Sequence, residues 1–140
     1  MQLGTFGAIL KHAIELEGSS SLFYEELAKK APEDKKKIIR EFVDSSNKNK
    51  QTLEKTRRME MQEMILEAIT GIDTSNYETK LNTPADFKEG ATCAFQSEKK
   101  AAAFYTDSAS KLSFLPNASR TLEKIGKERE SRVEKIKALL

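Results

Sequence analysis

Apolar and small side chains recur at helical spacing in four segments of the chain, with charged residues at the positions between them. The first segment, residues 5–31, begins at Thr5, which is suited to cap a helix N-terminus. The second, residues 33–70, follows Pro32 and is expected to end before Gly71, a typical C-terminal cap. We therefore expect two long helices in the first half of the chain.

Two further helical segments are predicted in the second half, at residues 84–111 and 117–139. Thr83 is placed as the N-cap of the third helix, with Pro84 at its first helical position. Residues 71–82 are turn-rich and carry no helical pattern, so we expect a long crossover connection there. The pattern predicts an all-α domain spanning residues 1–140, in which two helical hairpins with short turns are joined by this crossover.

One unit occurs twice, on the first and third predicted helices. A glutamate is followed seven residues later by the tyrosine of a Phe-Tyr pair, from Glu17 to Tyr24 and again from Glu98 to Tyr105. The small residues around each copy also recur at the same separation, Ala13 with Ala94 and Ala28 with Ala109. Both glutamates and both tyrosines fall on the inward helix faces. The repeat predicts a polar layer inside the bundle.

The inward faces of the second and fourth helices contribute to the same layer. Two polar residues, Ser46 and Asn49, interrupt the apolar stripe of helix two, and Arg129 and Arg132 occupy the matching positions of helix four. The apolar members of these stripes are Ile39, Phe42, Val43, Leu53, Leu122, Ile125 and Ile136. An interior with two arginines and two glutamates is therefore expected.

These features resemble the rubrerythrin and ferritin-like di-iron family. In that family the first helix of each pair supplies one carboxylate to the metals, and the second supplies a Glu-x-x-His motif. The resemblance implies a ferritin-like four-helix bundle, with Glu17 and Glu98 at the positions of the single carboxylates. They are the metal ligands of this chain if a metal binds. The similar stretches are roughly residues 8–32, 36–55, 88–112 and 119–139.

The Glu-x-x-His positions are not filled in this chain. Ser46 and Asn49 stand there in helix two, and Arg129 and Arg132 in helix four. Two divalent metals bring about four positive charges, which the family balances with four carboxylates. Two carboxylates beside two guanidiniums are close to neutral without metal. The sequence therefore predicts a degenerate di-iron site.

In our hypothesis Arg129, and secondarily Arg132, forms an internal ion pair with Glu17 and Glu98, because a planar guanidinium can bridge two carboxylates. An alternative alignment turns Glu128 inward and adds a carboxylate, which favours metal. Tyr24 and Tyr105 are expected to pack and hydrogen-bond within the layer.

Composition and charge narrow the classes of partner. The net charge is +2 over 140 residues. This is too small to indicate the concentrated basic face with which proteins usually bind nucleic acid or an anionic membrane. The basic runs 35–37 and 57–58 are read as solvated helix surface, with a nucleic-acid adaptor as a weaker alternative. No apolar run approaches the roughly 20 residues that cross a bilayer.

The remaining reactive residues do not indicate a site. A single cysteine, Cys93, excludes an internal disulfide and suits the reducing cytoplasm. His12, the only histidine, lies off the face that carries Glu17, and neither residue is assigned a role. The methionine-rich end of helix two, with Met59, Met61 and Met64, is expected to pack in the core or to form a homodimer contact, with a binding surface for another protein as the alternative.

No nucleophile has a neighbouring histidine, and no phosphate-binding loop follows a strand, so no catalytic residue and no organic cofactor are assigned. The function expected from the sequence is a non-catalytic structural or interaction role. The alternative is an iron- or manganese-binding oxidoreductase of rubrerythrin type with an altered ligand set.

Overall fold

The computed structural model describes residues 1–61 and 68–140 and contains four long helices. They are α1 (Phe6–Lys30), α2 (Glu33–Met61), α3 (Phe87–Lys111) and α4 (Pro116–Leu139), with a short 3-10 helix at Thr74–Asn76. The helix α1 packs along α2, and α3 packs along α4, so that each pair forms a hairpin. The two hairpins meet through α1 with α3 and α2 with α4. The predicted all-α bundle of two hairpins is confirmed.

Local capping explains where α1 and α3 begin. The Thr5 hydroxyl accepts a hydrogen bond from the amide of Ala8 at 3.1 Å, so its prediction as an N-cap is confirmed. The prediction of Thr83 as the cap of helix three is wrong. Asp86 caps α3, because its carboxylate accepts from the amide of Glu89 at 2.8 Å. Pro84 consequently lies before the helix, where it is buried.

The end of helix two also differs from the prediction. The structure describes α2 as far as Met61, and residues 68–70 are not helical. The amide of Ile69 instead donates to the carbonyl of Gly4 at 3.0 Å, and the amide of Leu3 donates to Ile72 at 2.8 Å. This hydrogen bond gives the amide of Ile69 a partner outside a helix. The Ile69 side chain is buried in the core.

The methionine-rich end of helix two lies partly outside the described residues. Met64 falls within residues 62–67, so the homodimer contact suggested there stays a prediction. Met59, within α2, is 59% exposed. Gly71 has a positive φ of 90°, which favours glycine, and turns the chain after the non-helical stretch rather than capping α2 directly.

The core consists of two apolar clusters, one toward each end of the bundle. The first gathers residues such as Phe6, Leu10, Leu53, Phe104 and Leu122, and the second gathers Leu27, Ile39, Phe42, Ala94 and Ile136. Buried polar side chains from all four helices lie along the same inward faces between these groups: Glu17, Ser46, Asn49, Glu98, Arg129 and Arg132. The fold thus encloses a polar layer between two apolar ones.

A close approach at Gly90 gives a test of this packing. A Cβ placed there would collide with the Leu27 side chain and lie 2.8 Å from the Cβ of Pro84. We expect Gly90→Ala to lower the free energy of unfolding by about 1–3 kcal/mol, the usual cost of overpacking. Gly18→Ala is the control, because the nearest atom is 3.9 Å away. Urea unfolding measures both variants. Gly18→Ala should raise the free energy of unfolding by about 0.5–1 kcal/mol, because alanine favours the helix over glycine. Equal effects of the two changes would contradict the packing.

Candidate functional site

Arg129 lies at the centre of the polar layer and is fully buried. Its Nη1 donates to Glu98 Oε1 at 2.8 Å. Its Nη2 donates to Glu17 Oε2 and, at 3.1 Å, to the hydroxyl of Ser20. One guanidinium from α4 therefore bridges the carboxylates of α1 and α3. Burial alone would lower the pKa of Arg129, but the charges of Glu17 and Glu98 outweigh it and raise that pKa well above its usual range, so the bridge stays charged.

The two tyrosines of the repeat cross between the hairpins. The Tyr24 hydroxyl in α1 donates to Glu98 Oε1 of α3 at 2.6 Å, and the Tyr105 hydroxyl in α3 donates to Glu17 Oε2 of α1 at 2.7 Å. Burial and then the neighbouring carboxylate raise the pKa of each phenol well above its usual value. Both tyrosines are consequently hydrogen-bond donors at neutral pH. Each glutamate thus accepts from a tyrosine of the other hairpin and from Arg129.

Arg132 extends the layer toward α2. Its Nη1 donates to the Ser46 hydroxyl at 2.9 Å and lies 3.4 Å from Glu98 Oε1. Its Nη2 donates to Glu128 Oε1 at 2.8 Å and to the Ser45 hydroxyl at 2.5 Å. Arg132 thus links the buried Glu98 to Glu128 at the edge of the layer. The acceptors that α2 supplies, Ser45 and Ser46, are uncharged.

Asn49 links Glu17 to Glu128. Its Nδ2 donates to Glu17 Oε1 at 3.1 Å and to Glu128 Oε2 at 3.2 Å. The Glu128 side chain is 35% exposed, so it marks the solvent edge of the layer. Burial would raise the pKa of Glu128, but the charge of Arg132 and hydrogen bonds from Arg132, Ser45 and Asn49 together lower it.

Part of the polar layer was not predicted from the sequence. Glu128 had been an alternative to the arrangement with Arg129 inward, and the structure brings both into contact with the layer. The count is therefore three carboxylates against two guanidiniums. Ser20 and Ser45 were not predicted as members. Helical spacing could have indicated Ser20, which lies one turn beyond Glu17 on the same face.

A comparison with solved structures identifies this architecture. A Thermotoga maritima protein, whose crystal structure is described as that of a candidate ferritin-like diiron-carboxylate protein, superposes with a TM-score of 0.79. The match covers 99% of this chain and 94% of that one. This chain has a ferritin-like fold. The two sequences are 23% identical, so the likeness carries the fold alone.

The two other comparisons, with protein families and with curated proteins, found no relative of this chain. In the portion of the chain that the structure describes, no helix is long and apolar enough to cross a membrane.

The buried carboxylates of the layer are already paired with side chains of the protein. Within residues 1–61 and 68–140, no group of three or more His, Cys, Asp or Glu side chains is arranged to hold a metal. The oxygens Glu17 Oε2 and Glu98 Oε1 each accept from Arg129 and from a tyrosine. Among the described residues Glu98 Oε2 is the one carboxylate oxygen of the layer that is buried without a hydrogen-bond partner.

Cys93 and His12 lie outside the network. The Cys93 thiol donates to the carbonyl of Lys80 at 3.2 Å, and burial followed by the charge of Glu89 raises its pKa. A protonated thiol is a poor nucleophile. The half-buried ring of His12 packs edge-on against Phe104, with ring centroids 5.0 Å apart. Both residues are therefore remote from the chemistry of the charged layer.

His12 makes the stability of the fold depend on pH. Burial lowers its pKa below the ordinary 6.5, while Glu15 and Glu78 oppose that shift. Because the folded pKa is the lower one, this contribution to stability is complete above pH 6.5 and is lost as the pH falls through the folded value. We expect Glu78→Gln to lower the pKa of His12 further in an NMR titration of the imidazole. Glu134→Gln, on the exposed face of α4, is the control; an unchanged pKa in Glu78→Gln would contradict the arrangement.

Proposed function

We propose that this chain is a cytoplasmic ferritin-like protein whose di-iron site is degenerate, and that its role is structural or interaction-based rather than catalytic. A single observation carries the proposal. The Arg129 guanidinium bridges Glu17 and Glu98, the two carboxylates that the family resemblance implies as metal ligands. The cation that bridges these two carboxylates is thus a side chain of the protein itself.

The electrostatics of the layer support this proposal. Arg129 and Arg132 are both almost fully buried and both contact Glu98. At an effective dielectric constant of about 20, a unit positive charge about 4 Å from a guanidinium is repelled by roughly 4 kcal/mol. A divalent ion carries two unit charges, so at the same distance each of the two arginines would repel it about twice as strongly. The family offsets the charge of two metals with four carboxylates, one more than this layer contains.

The alternative is an iron- or manganese-binding oxidoreductase with an altered ligand set. Two observations favour it: Glu98 Oε2 is buried without a hydrogen-bond partner among the described residues, and Glu128 reaches the edge of the layer. Oxygen donors of this kind suit Mn²⁺ and Fe²⁺. They would support a single ion more readily than a pair, since the arginines neutralise the other carboxylate oxygens.

Metal analysis separates the two functions. Protein purified without chelators is expected to contain far less than one equivalent of iron or manganese by elemental analysis. Anaerobic calorimetric titration with Fe²⁺ and Mn²⁺ should give no saturable binding at micromolar concentrations, because the carboxylate oxygens already accept from arginine. The matched control is the triple variant Glu17→Gln, Glu98→Gln and Arg129→Met, which removes the carboxylates without leaving Arg129 buried and unpaired, and which should behave as the parent does. Stoichiometric binding that this variant abolishes would establish the alternative.

A further inference from the structure

A groove runs along the outer face of α1, on the side covered by the crossover between the hairpins. It has a volume of about 570 Å³ and is bounded by residues 12–26 of α1 and 74–84 of the crossover. Its apolar surface comes from Leu16, Phe23 and Leu81, and Leu22 stands at its margin with 66% of its surface exposed. None of the side chains of the buried charge network lines it, so the groove is a separate feature of the molecule.

The charged side chains that line the groove directly are all acidic. Three carboxylates line it, those of Glu15, Glu26 and Glu78, and no lysine or arginine of the described chain does. Glu26 pairs with Lys29 at 2.9 Å, whereas Glu15 and Glu78 have no ion-pair partner within residues 1–61 and 68–140. Both of these lie close enough to His12 for their charges to act on its imidazole. An apolar floor is therefore flanked by two uncompensated negative charges.

The crossover wall is anchored at several points, which pre-forms the groove. The Tyr77 hydroxyl donates to Asp107 Oδ2 of α3 at 2.6 Å. The Cys93 thiol donates to the carbonyl of Lys80, and Lys30 Nζ donates to the carbonyl of Pro84. A wall that is fixed before binding does not have to be ordered by the ligand, and this favours affinity.

We propose that this groove binds a small organic cation with an apolar chain, such as a long-chain alkylammonium ion. The ammonium group would lie between Glu15 and Glu78, with its chain along Leu16, Leu22 and Phe23. The volume falls within the range of small-molecule sites, which combine an apolar lining with a few polar groups. The negative charges of Glu15 and Glu78 oppose carboxylate or phosphate ligands. The open apolar margin at Leu22 leaves room for the chain of the ligand.

Three probes with the same chain and different head groups test the assignment. Octylammonium, 1-octanol and octanoate are titrated separately at pH 7.5 into ¹⁵N-labelled protein, the two ions below their micellar concentrations and the alcohol below its solubility. We expect octylammonium to shift the amide resonances of α1 and the crossover, with a Kd about tenfold lower than that of 1-octanol. Octanoate should not bind. Equal binding of octylammonium and 1-octanol, or no saturable binding of octylammonium at millimolar concentration, would overturn the proposal.

Two double variants locate the charge effect. Glu15→Gln with Glu78→Gln keeps side-chain size and should raise the Kd of octylammonium about tenfold while leaving that of 1-octanol unchanged. Glu130→Gln with Glu134→Gln removes two exposed charges of α4 and should change neither. Equal weakening in both variants would mean a general charge effect and would overturn the site. A lysine-rich peptide that displaces octylammonium completely at lower concentration would replace the proposal by a protein-docking surface.

Discussion

Arg129→Ala is expected to lower the free energy of unfolding by about 3–5 kcal/mol, the largest loss from any single substitution considered for this chain. The change leaves Glu17 and Glu98 buried without the guanidinium that bridges them. Their tyrosine partners donate one hydrogen bond each but carry no positive charge. The cost therefore comes from two nearby buried carboxylates that have lost their main counter-charge, rather than from the lost contacts of the arginine alone.

Urea unfolding at pH 7 measures this effect, with Arg120→Ala as the matched control. Arg120 is exposed, and among the described residues its side chain hydrogen-bonds to Asn117 alone, on its own helix. Its replacement should therefore change stability by less than about 0.5 kcal/mol. Changing the bridge as a group, with Arg129→Met, Glu17→Gln and Glu98→Gln together, should recover much of the loss, because its three buried charges are removed together and Arg132 keeps Glu128 as its partner. If Arg129→Ala unfolds at the same urea concentration as the parent, the bridge contributes no stability.

Much of the fold was predictable because its determinants are periodic. The inward stripes and the repeat that relates Glu17 to Glu98 depend only on helical spacing, and they gave the four helices and their pairing. The boundaries were less predictable. Asp86 and Thr83 are both good N-caps, and only the amide that each can reach in three dimensions separates them. Likewise, Ile69 fits the helical pattern in sequence, yet it is not helical and its amide donates to the distant carbonyl of Gly4.

The site was predictable at the level of which positions face inward, and less so at the level of individual contacts. A count of charges pointed to Arg129 as a bridge between the two repeat glutamates. The place of Glu128 depended on side-chain reach: it lies next to Arg129 in sequence, yet it turns toward Asn49 and Arg132. A helical wheel assigns faces, but a partly exposed glutamate at the edge of a face can reach the interior with its flexible side chain.

The two hairpins contribute unequally to the layer although their sequences repeat. Their first helices are matched, since each supplies one glutamate and one tyrosine that cross to the other hairpin. Their second helices are not: α4 supplies both arginines, while α2 supplies Ser46 and Asn49. The positive charge of the layer thus comes from one helix. Substitutions in α4 should therefore decide whether metal can enter.

Restoring the Glu-x-x-His pattern on both helices is expected to produce stoichiometric metal binding. The quadruple variant combines Ser46→Glu and Asn49→His in α2 with Arg129→Glu and Arg132→His in α4. All four positions are buried. With Glu17 and Glu98 they would provide the four carboxylates and two imidazoles of ferritin-like sites. Without metal the four carboxylates would repel one another, so we expect this variant to be less stable than the parent until metal is added.

Cobalt(II) titration measures metal binding by the quadruple variant. The controls are two double variants, each of which carries the Glu-x-x-His pattern on one helix only. The quadruple variant should bind about two ions per chain and develop visible cobalt absorption. Each bound ion should add about 2.7 kcal/mol of stability at a free cobalt concentration 100 times its Kd. Ser46→Glu with Asn49→His keeps both arginines and should not bind two ions, whereas Arg129→Glu with Arg132→His removes the repulsion and should bind at least weakly. If the variant that keeps both arginines binds as tightly as the quadruple one, the arginines are not what excludes metal. If the quadruple variant folds but binds no cobalt, the four positions do not form a metal cage in this bundle.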